Sequence, residues 1–102
     1  MVNTAADIQS LIIAHREQIL KYGATSIGLF GSFINGKVTK HSDVDLLVEF
    51  EAGQKTYDNF INLALFLESL LGRKVELITP SSLSKYLKPH IEKSVQYVAI
   101  SV

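Results

Sequence analysis

Hydrophobic positions in the first part of the chain predict a helix. Five apolar residues recur there at the three- to four-residue spacing of one helix face: Ile8, Leu11, Ile12, Ile19 and Leu20. Thr4 or Asp7 can cap the first turn, and Gly23 supplies a stop signal. We therefore predict an amphipathic helix over residues 5 to 22.

The next part of the chain predicts two strands joined by a turn. A short apolar run over residues 25 to 30 ends at Gly31 and Ser32, which is typical of a strand followed by a turn. Residues 33 to 42 contain Asn-Gly and several small polar side chains, so they are turn-like. In residues 43 to 50, DVDLLVEF, every second residue is Val, Leu or Phe, which predicts a strand with one buried face.

The second half of the chain predicts a long helix, a third strand and two short helical pieces. In chain order the predicted elements are a loop over 51 to 55, a helix over 57 to 71, a strand over 74 to 79, a short helix over 80 to 88 and a helical piece over 90 to 98. Gly72 ends the long helix, and Pro89 is expected to stop or kink the short one. In the strand, Glu76 lies opposite Val75 and Leu77. Helices and strands in this order predict the α+β class, with a small mixed sheet and helices packed against one face.

Composition predicts one domain over residues 1 to 102, with a core from about 5 to 98. The chain has 102 residues, of which 47% are hydrophobic and 20% charged, which is ordinary for a globular protein. Ten basic residues balance ten acidic ones, so the basic surface expected of a nucleic-acid-binding protein is missing. There is no cysteine, which excludes disulfides and thiolate sites. No signal peptide or membrane-length apolar run is present, so we expect a cytoplasmic protein.

Two aspartates two positions apart predict a metal site. Asp43 and Asp45 lie on the same face of their strand, where two like charges repel each other unless a cation neutralises them. Mg²⁺ takes few protein ligands and completes its coordination with water and phosphate oxygens, so one such pair can suffice. The same pattern also occurs at solvated strand ends that bind nothing. His15, His41 and His90 have no ligand spacing among themselves, which favours surface positions.

The Gly31-Ser32 pair fits a phosphate-binding turn. Glycine allows close approach of the backbone, and a serine hydroxyl with the following amides can hold a phosphate. Alone, Gly-Ser is more often a simple turn. The order strand, Gly-Ser, ten residues, Asp-x-Asp is more specific than either half, and it predicts a metal and a triphosphate side by side.

These residues carry a family resemblance. The run GSFINGKVTKHSDVDLLV, residues 31 to 48, resembles the signature of the DNA polymerase β nucleotidyltransferase superfamily. The short length and the later run GRKVELITPSSL, residues 72 to 83, resemble the minimal nucleotidyltransferases, which are MNT antitoxins that pair with HEPN-domain toxins. The resemblance covers about residues 5 to 98.

The resemblance implies a two-metal site that takes ATP and Mg²⁺. By this likeness Asp43 and Asp45 hold Mg²⁺, and Glu76, at the position of a third acid, binds the second metal and activates the attacking hydroxyl. Gly31 and Ser32 would contact the β and γ phosphates. Many relatives have an arginine just after Gly-Ser, where this chain has none, so Lys37 or Lys40 is expected to neutralise phosphate instead.

The resemblance also implies a protein partner. The implied reaction is transfer of AMP from ATP to a tyrosine hydroxyl of a HEPN-domain toxin, whose ribonuclease activity is thereby neutralised; no contact with nucleic acid or membrane is expected. An alternative is a catalytically weak or inactive module that neutralises the toxin by contact, since the third acid of such proteins is usually aspartate and here is Glu76. A third reading, transfer to a small molecule, would need an additional domain or a second copy to form the acceptor pocket.

Overall fold

Four strands form one mixed sheet in the computed structural model, which describes residues 1 to 100. The strands are β1 (Ala24–Phe30), β2 (Val44–Phe50), β3 (Val75–Ile78) and β4 (Gln96–Val98). Their spatial order is β3-β2-β1-β4, with β1 antiparallel to both β2 and β4, and β2 parallel to β3. The predicted α+β class and mixed sheet are confirmed.

Within residues 1 to 100, five α-helices and one short 3₁₀ helix accompany the sheet. They are α1 (Ala5–Ala14), α2 (Arg16–Lys21), α3 (Ser32–Asn35), α4 (Tyr57–Leu71), a 3₁₀ helix (Pro80–Ser82) and α5 (Leu87–Ser94). The helix predicted over 57 to 71 has the predicted bounds, because the Thr56 side chain caps its start and Gly72 ends it in a left-handed conformation. No helix within residues 1 to 100 is both long and apolar enough to cross a membrane.

The hydrophobic core lies between one face of the sheet and three helices. This face carries apolar side chains from all four strands, among them Ile27, Leu46, Leu77 and Val98. The fully buried residues that cover it come from α1, α2 and α4: Ile8, Ile12, Ile19, Leu63, Leu67 and Leu71. The predicted packing of helices against one face is therefore present, and the opposite face carries polar side chains, among them Asp45 and Glu76, together with the buried Leu47.

The first helix was predicted as one piece and is two. It breaks at His15, whose φ and ψ of −114° and 22° are not helical. The backbone N–H of His15 donates to the carbonyls of both Leu11 and Ile12, while its ring Nδ1 lies 3.0 Å from the Leu11 carbonyl. The non-helical backbone of His15 ends α1, and α2 starts at the next residue. At the other end of α1, Thr4 and Asp7 both cap, since they form a reciprocal capping box.

The prediction for residues 80 to 98 was wrong in its details. The helix predicted over 80 to 88 is only the 3₁₀ turn Pro80–Ser82, and the later helix runs from Leu87 to Ser94. Pro89 lies in the first turn of α5, where its missing N–H leaves no helical bond unmade. Residues 96 to 98 form strand β4, because the free edge of β1 offers them backbone partners.

Candidate active site

The antiparallel pairing of β1 and β2 brings the two halves of the sequence motif together. Phe30, the last residue of β1, pairs with Asp45 on β2, so Gly31 leaves the strand directly beside the Asp45 carboxylate. The fit is close: a Cβ atom added to Gly31 would collide with Oδ2 of Asp45. The predicted proximity of Gly-Ser and Asp-x-Asp is thus a result of strand register.

Gly31 is also required by its backbone conformation. Its φ of 77° and ψ of −147° are in a region that side chains with a Cβ rarely adopt. The Gly31 carbonyl accepts hydrogen bonds from the N–H groups of Ile34 and Asn35, at 3.0 and 2.9 Å, and so starts the short helix α3. The predicted turn over 33 to 42 therefore contains one helical turn. The N–H groups of Ser32 and Phe33 lie at the start of this helix, ahead of its first intrahelical hydrogen bond.

Asp45 and Glu76 form the acidic centre of the open face. They are register partners on the parallel strands β2 and β3, and their side chains point to the same side of the sheet. Burial raises the pKa of Asp45 to about 6, with further contributions from the charge of Glu76, a hydrogen bond with Glu76 and the charge of Asp43. The fully charged state of the site is therefore unfavourable unless a proton or a cation neutralises part of the charge.

Asp43 was predicted as the first residue of the strand, but β2 starts one residue later. It lies just before β2, is exposed, and approaches Asp45 from the loop rather than from within the strand. Among residues 1 to 100 no three acidic or histidine side chains already form a metal-binding cluster. The arrangement is a close pair, Asp45 and Glu76, with Asp43 at its side. This donor set of carboxylate oxygens fits Mg²⁺, which needs only one or two protein carboxylates when phosphate supplies other ligands.

Lys37 and Lys40, the predicted phosphate-binding cations, form no ion pair with Asp45 or Glu76 within residues 1 to 100. Lys37 is exposed, and its backbone N–H donates to the Ser32 carbonyl at 3.1 Å. Lys40 is exposed in the loop before Asp43. Both follow α3 closely in the chain and lie between it and Asp43. All three histidines are exposed, as predicted.

Sequence reasoning missed one residue near the site, Arg73. This arginine is only 7% exposed, and its guanidinium group donates to the carbonyls of Val2, Thr39 and Ser42. Ser42 immediately precedes Asp43. A weak signal was present in the sequence, since Arg73 is one of two arginines in a chain with eight lysines and directly precedes the strand that carries Glu76.

A comparison with protein families decides the class of the domain. The family model described as the nucleotidyltransferase domain matches residues 12 to 98, which include every residue of the acidic site. The chain belongs to the nucleotidyltransferase domain family. Gly31, Asp45 and Glu76, which the fold brings together, all lie within the matched residues.

Relatives of this nucleotidyltransferase domain include enzymes that modify proteins. It is 38% identical over 96 residues to the protein adenylyltransferase MntA of Thermococcus cleftensis, and the match covers 93% of this chain and 96% of that protein. A solved structure given as a candidate minimal nucleotidyltransferase is 33% identical, with a TM-score of 0.70 over 86% of this chain and 93% of the other. A crystal structure of a toxin–antitoxin with AMP-PNP is 26% identical, with a TM-score of 0.63 over 81% and 71% of the two chains.

Proposed function

We propose that this chain is a Mg²⁺-dependent protein adenylyltransferase that transfers AMP from ATP to a tyrosine hydroxyl of a HEPN-domain toxin, and so acts as an antitoxin. The observation that carries the proposal is the contact of the Gly31 backbone with the Asp45 carboxylate, next to Glu76. Phosphate-binding amides and metal-binding carboxylates are thereby adjacent, as transfer from a nucleoside triphosphate requires. The adenylyltransferase relative and the AMP-PNP found with a related toxin–antitoxin support ATP as the donor.

Each site residue has a proposed role. Asp43, Asp45 and Glu76 would hold Mg²⁺, which neutralises negative charge on the triphosphate when bound. Gly31 and the amides of Ser32 and Phe33 would hold the β and γ phosphates, with Lys37 as a further cation. Glu76 would accept the proton of the acceptor hydroxyl, whose oxygen forms a bond to the α phosphorus. The bond from that phosphorus to the bridging oxygen breaks, and pyrophosphate leaves.

The acceptor is proposed to come from a protein partner. Asp43 and Glu76 are exposed, so the acids lie on an open sheet face that a second protein can approach. Phosphoryl transfer needs the attacking oxygen in line with the leaving group, and a docked protein can fix that geometry for one tyrosine side chain. The resemblance to MNT antitoxins and the toxin–antitoxin pairing of a related structure make a HEPN toxin the proposed partner.

A second candidate function is neutralisation of the toxin by contact alone. Two observations favour it: the third acid is the longer Glu76, and residues 1 to 100 contain no preformed cluster of three metal-binding side chains. A displacement of about 1 Å in a reacting group can lower a rate on the order of a hundredfold. The extra methylene of glutamate is a displacement of that size.

One experiment separates the two functions. A HEPN partner is incubated with ATP, Mg²⁺ and either the native chain, Glu76→Asp or Glu76→Gln, and its intact mass is measured. Addition of AMP by the native chain but not by Glu76→Gln supports the enzyme and the role of Glu76. Addition by Glu76→Asp alone supports a scaffold whose third acid is misplaced. If neither the native chain nor Glu76→Asp adds AMP, the enzymatic proposal is wrong and inhibition by contact remains.

A further inference from the structure

Arg73 is a buried cation without a carboxylate partner among residues 1 to 100. Its side chain instead donates to main-chain carbonyls: Nε to Val2 at 2.6 Å, and Nη1 to Thr39 at 3.0 Å and to Ser42 at 2.9 Å. Nη2 lies 3.4 Å from Oδ1 of Asn3. A buried charge must be compensated by hydrogen bonds, so this number of contacts indicates a fixed position.

Two of the three carbonyls that Arg73 binds belong to the loop that presents Asp43 of the proposed site. Thr39 and Ser42 are the two ends of the turn that leads into Asp43. The turn is closed on itself, because Ser42 N–H donates to the Thr39 carbonyl at 3.1 Å and Thr39 N–H donates to the Ser42 hydroxyl at 2.8 Å. Arg73 binds the carbonyl at each end of this turn with one nitrogen. The turn is thus held as a unit against the start of β3.

The guanidinium group of Arg73 also packs against α3, through the ring of Phe33. Its central carbon lies 5.2 Å from the centre of the Phe33 ring, within cation–π range. Phe33 is buried and directly follows Gly31-Ser32. Arg73 therefore makes two contacts at once. It packs on α3, which begins at the proposed phosphate-binding turn, and it donates to the loop that presents Asp43.

We infer that Arg73 is a positioning residue that locks the turn from Thr39 to Ser42 against α3 and β3, and so holds Asp43 beside Asp45. The inference deepens the proposed function and rests on it. An arginine is needed because a planar fork with five N–H groups can bond several carbonyls and stack on a ring at once. A lysine would keep the charge and lose both the fork and the stacking.

The test compares Arg73→Lys with the native chain in three measurements. Hydrogen exchange is expected to be about tenfold faster in a peptide covering residues 39 to 43, since loss of the carbonyl bonds lets the turn open locally. Mn²⁺ affinity, measured on the chain without nucleotide, is expected to fall about fivefold, and kcat for AMP transfer at least about tenfold, because Asp43 loses its fixed position.

Two control variants separate positioning from a general loss of stability. Ile12→Val removes one methyl from the core in α1 and is expected to lower stability by about 1 kcal/mol without changing exchange in 39 to 43 or Mn²⁺ affinity. Arg16→Lys makes the same chemical change at the other arginine, which within residues 1 to 100 donates to the Ile13 carbonyl alone, and should match the native chain. If Arg73→Lys matches Ile12→Val in exchange, Mn²⁺ affinity and kcat, the inference is wrong.

A second variant covers the case in which Arg73→Lys does not fold. Phe33→Leu keeps an apolar side chain and removes only the ring under the guanidinium group. Faster exchange in residues 39 to 43, a segment that does not contain Phe33, is expected; unchanged exchange there overturns the inference. Failure of the proposed function looks different: the native chain would then transfer no AMP, while exchange would still report whether Arg73 holds the turn.

Discussion

Asp45 and Glu76 occupy matching positions on two neighbouring parallel strands, with their side chains on the open face of the sheet. Residues that are 31 positions apart in the chain thus become direct neighbours, because α4 returns the chain so that β3 runs alongside β2. Two carboxylates in this arrangement favour either a shared proton or a bound cation. The pair therefore makes the free energy of unfolding depend on pH and, in the proposed site, on a bound metal ion.

Asp45→Asn is expected to stabilise the metal-free chain at neutral pH. The pKa of Asp45 is about 6 in the folded chain against an ordinary value of 3.8, so the folded state binds the proton more tightly than the unfolded state. The free energy of unfolding therefore falls as pH rises from about 4 to about 6, and the charged form remains unfavourable above that range. Because Asp45 is only half buried, solvent screening limits the gain from Asn to about 1 kcal/mol.

The check is denaturant unfolding of both proteins in a metal chelator. At about pH 7.5 the variant should be the more stable, and near pH 4 the two should agree, since Asp45 is then mostly protonated in the folded chain. If the variant exceeded the native chain in free energy of unfolding by the same amount at both pH values, the added stability would not come from removal of the Asp45 charge.

Mg²⁺ is expected to raise the melting temperature of the native chain at neutral pH. A ligand that binds only the folded state stabilises it by about 2.7 kcal/mol at a hundredfold excess over its dissociation constant. Differential scanning fluorimetry with increasing Mg²⁺ measures the shift. Asp43→Asn and Asp45→Asn should show a much smaller shift; the same shift in all three proteins would place the bound metal elsewhere.

Asp43→Asn and Asp45→Asn are expected to lose AMP transfer by at least about a hundredfold while remaining folded, because each removes a proposed metal ligand from an open face and leaves the core intact. Transfer is followed by intact mass of the HEPN partner, and folding by circular dichroism. Asp58→Asn, on the exposed start of α4, makes the same chemical change away from the site and should retain native activity. Retained turnover in both site variants would falsify their assignment as metal ligands.

Gly31→Ala is expected to be costly in both stability and activity. The added methyl group meets the Asp45 carboxylate, and the positive φ is strained for any residue with a Cβ. Gly53 provides a matched control, since its φ of 81° is also positive but an added Cβ would have no neighbour within 4 Å. Gly53→Ala therefore measures the cost of a positive φ without a steric neighbour, about 1 kcal/mol. Gly31→Ala should lose clearly more than that in unfolding experiments; equal losses would mean that Asp45 moves aside freely.

Local signals in the sequence were sufficient for the elements that build the acidic site. Alternation in residues 43 to 50 and 74 to 79 predicted β2 and β3 to within one residue, because one face of each strand is buried and its apolar residues must recur at every second position. The period of two also predicted that Glu76 points away from Val75 and Leu77. The antiparallel register that sets Gly31 against Asp45 has no such local signal; that the two lie close together was predicted from the combined motif and from the resemblance.

Features that depend on distant partners could not be predicted in this way. Strand β4 has three residues and one buried side chain, Val98, so its sequence carries almost no pattern; it is a strand because β1 offers an edge. Arg73 is buried because carbonyls from two separate segments, Val2 and the turn from Thr39 to Ser42, converge on it, and such convergence exists only in the folded chain. A charged residue at the start of a strand is ordinarily exposed, which is why sequence reasoning passed over it.

The close contact between Gly31 and Asp45 has a consequence for how a nucleotide would be captured. A phosphate site made of main-chain amides loses little conformational entropy when it is filled, whereas each long side chain that must be immobilised costs about 0.5 to 1.5 kcal/mol. Because Gly31 has no side chain, the Asp45 carboxylate lies directly against its backbone, so both parts of the proposed site are adjacent before a ligand binds. In the proposed site, capture of the triphosphate would therefore require little rearrangement at this contact.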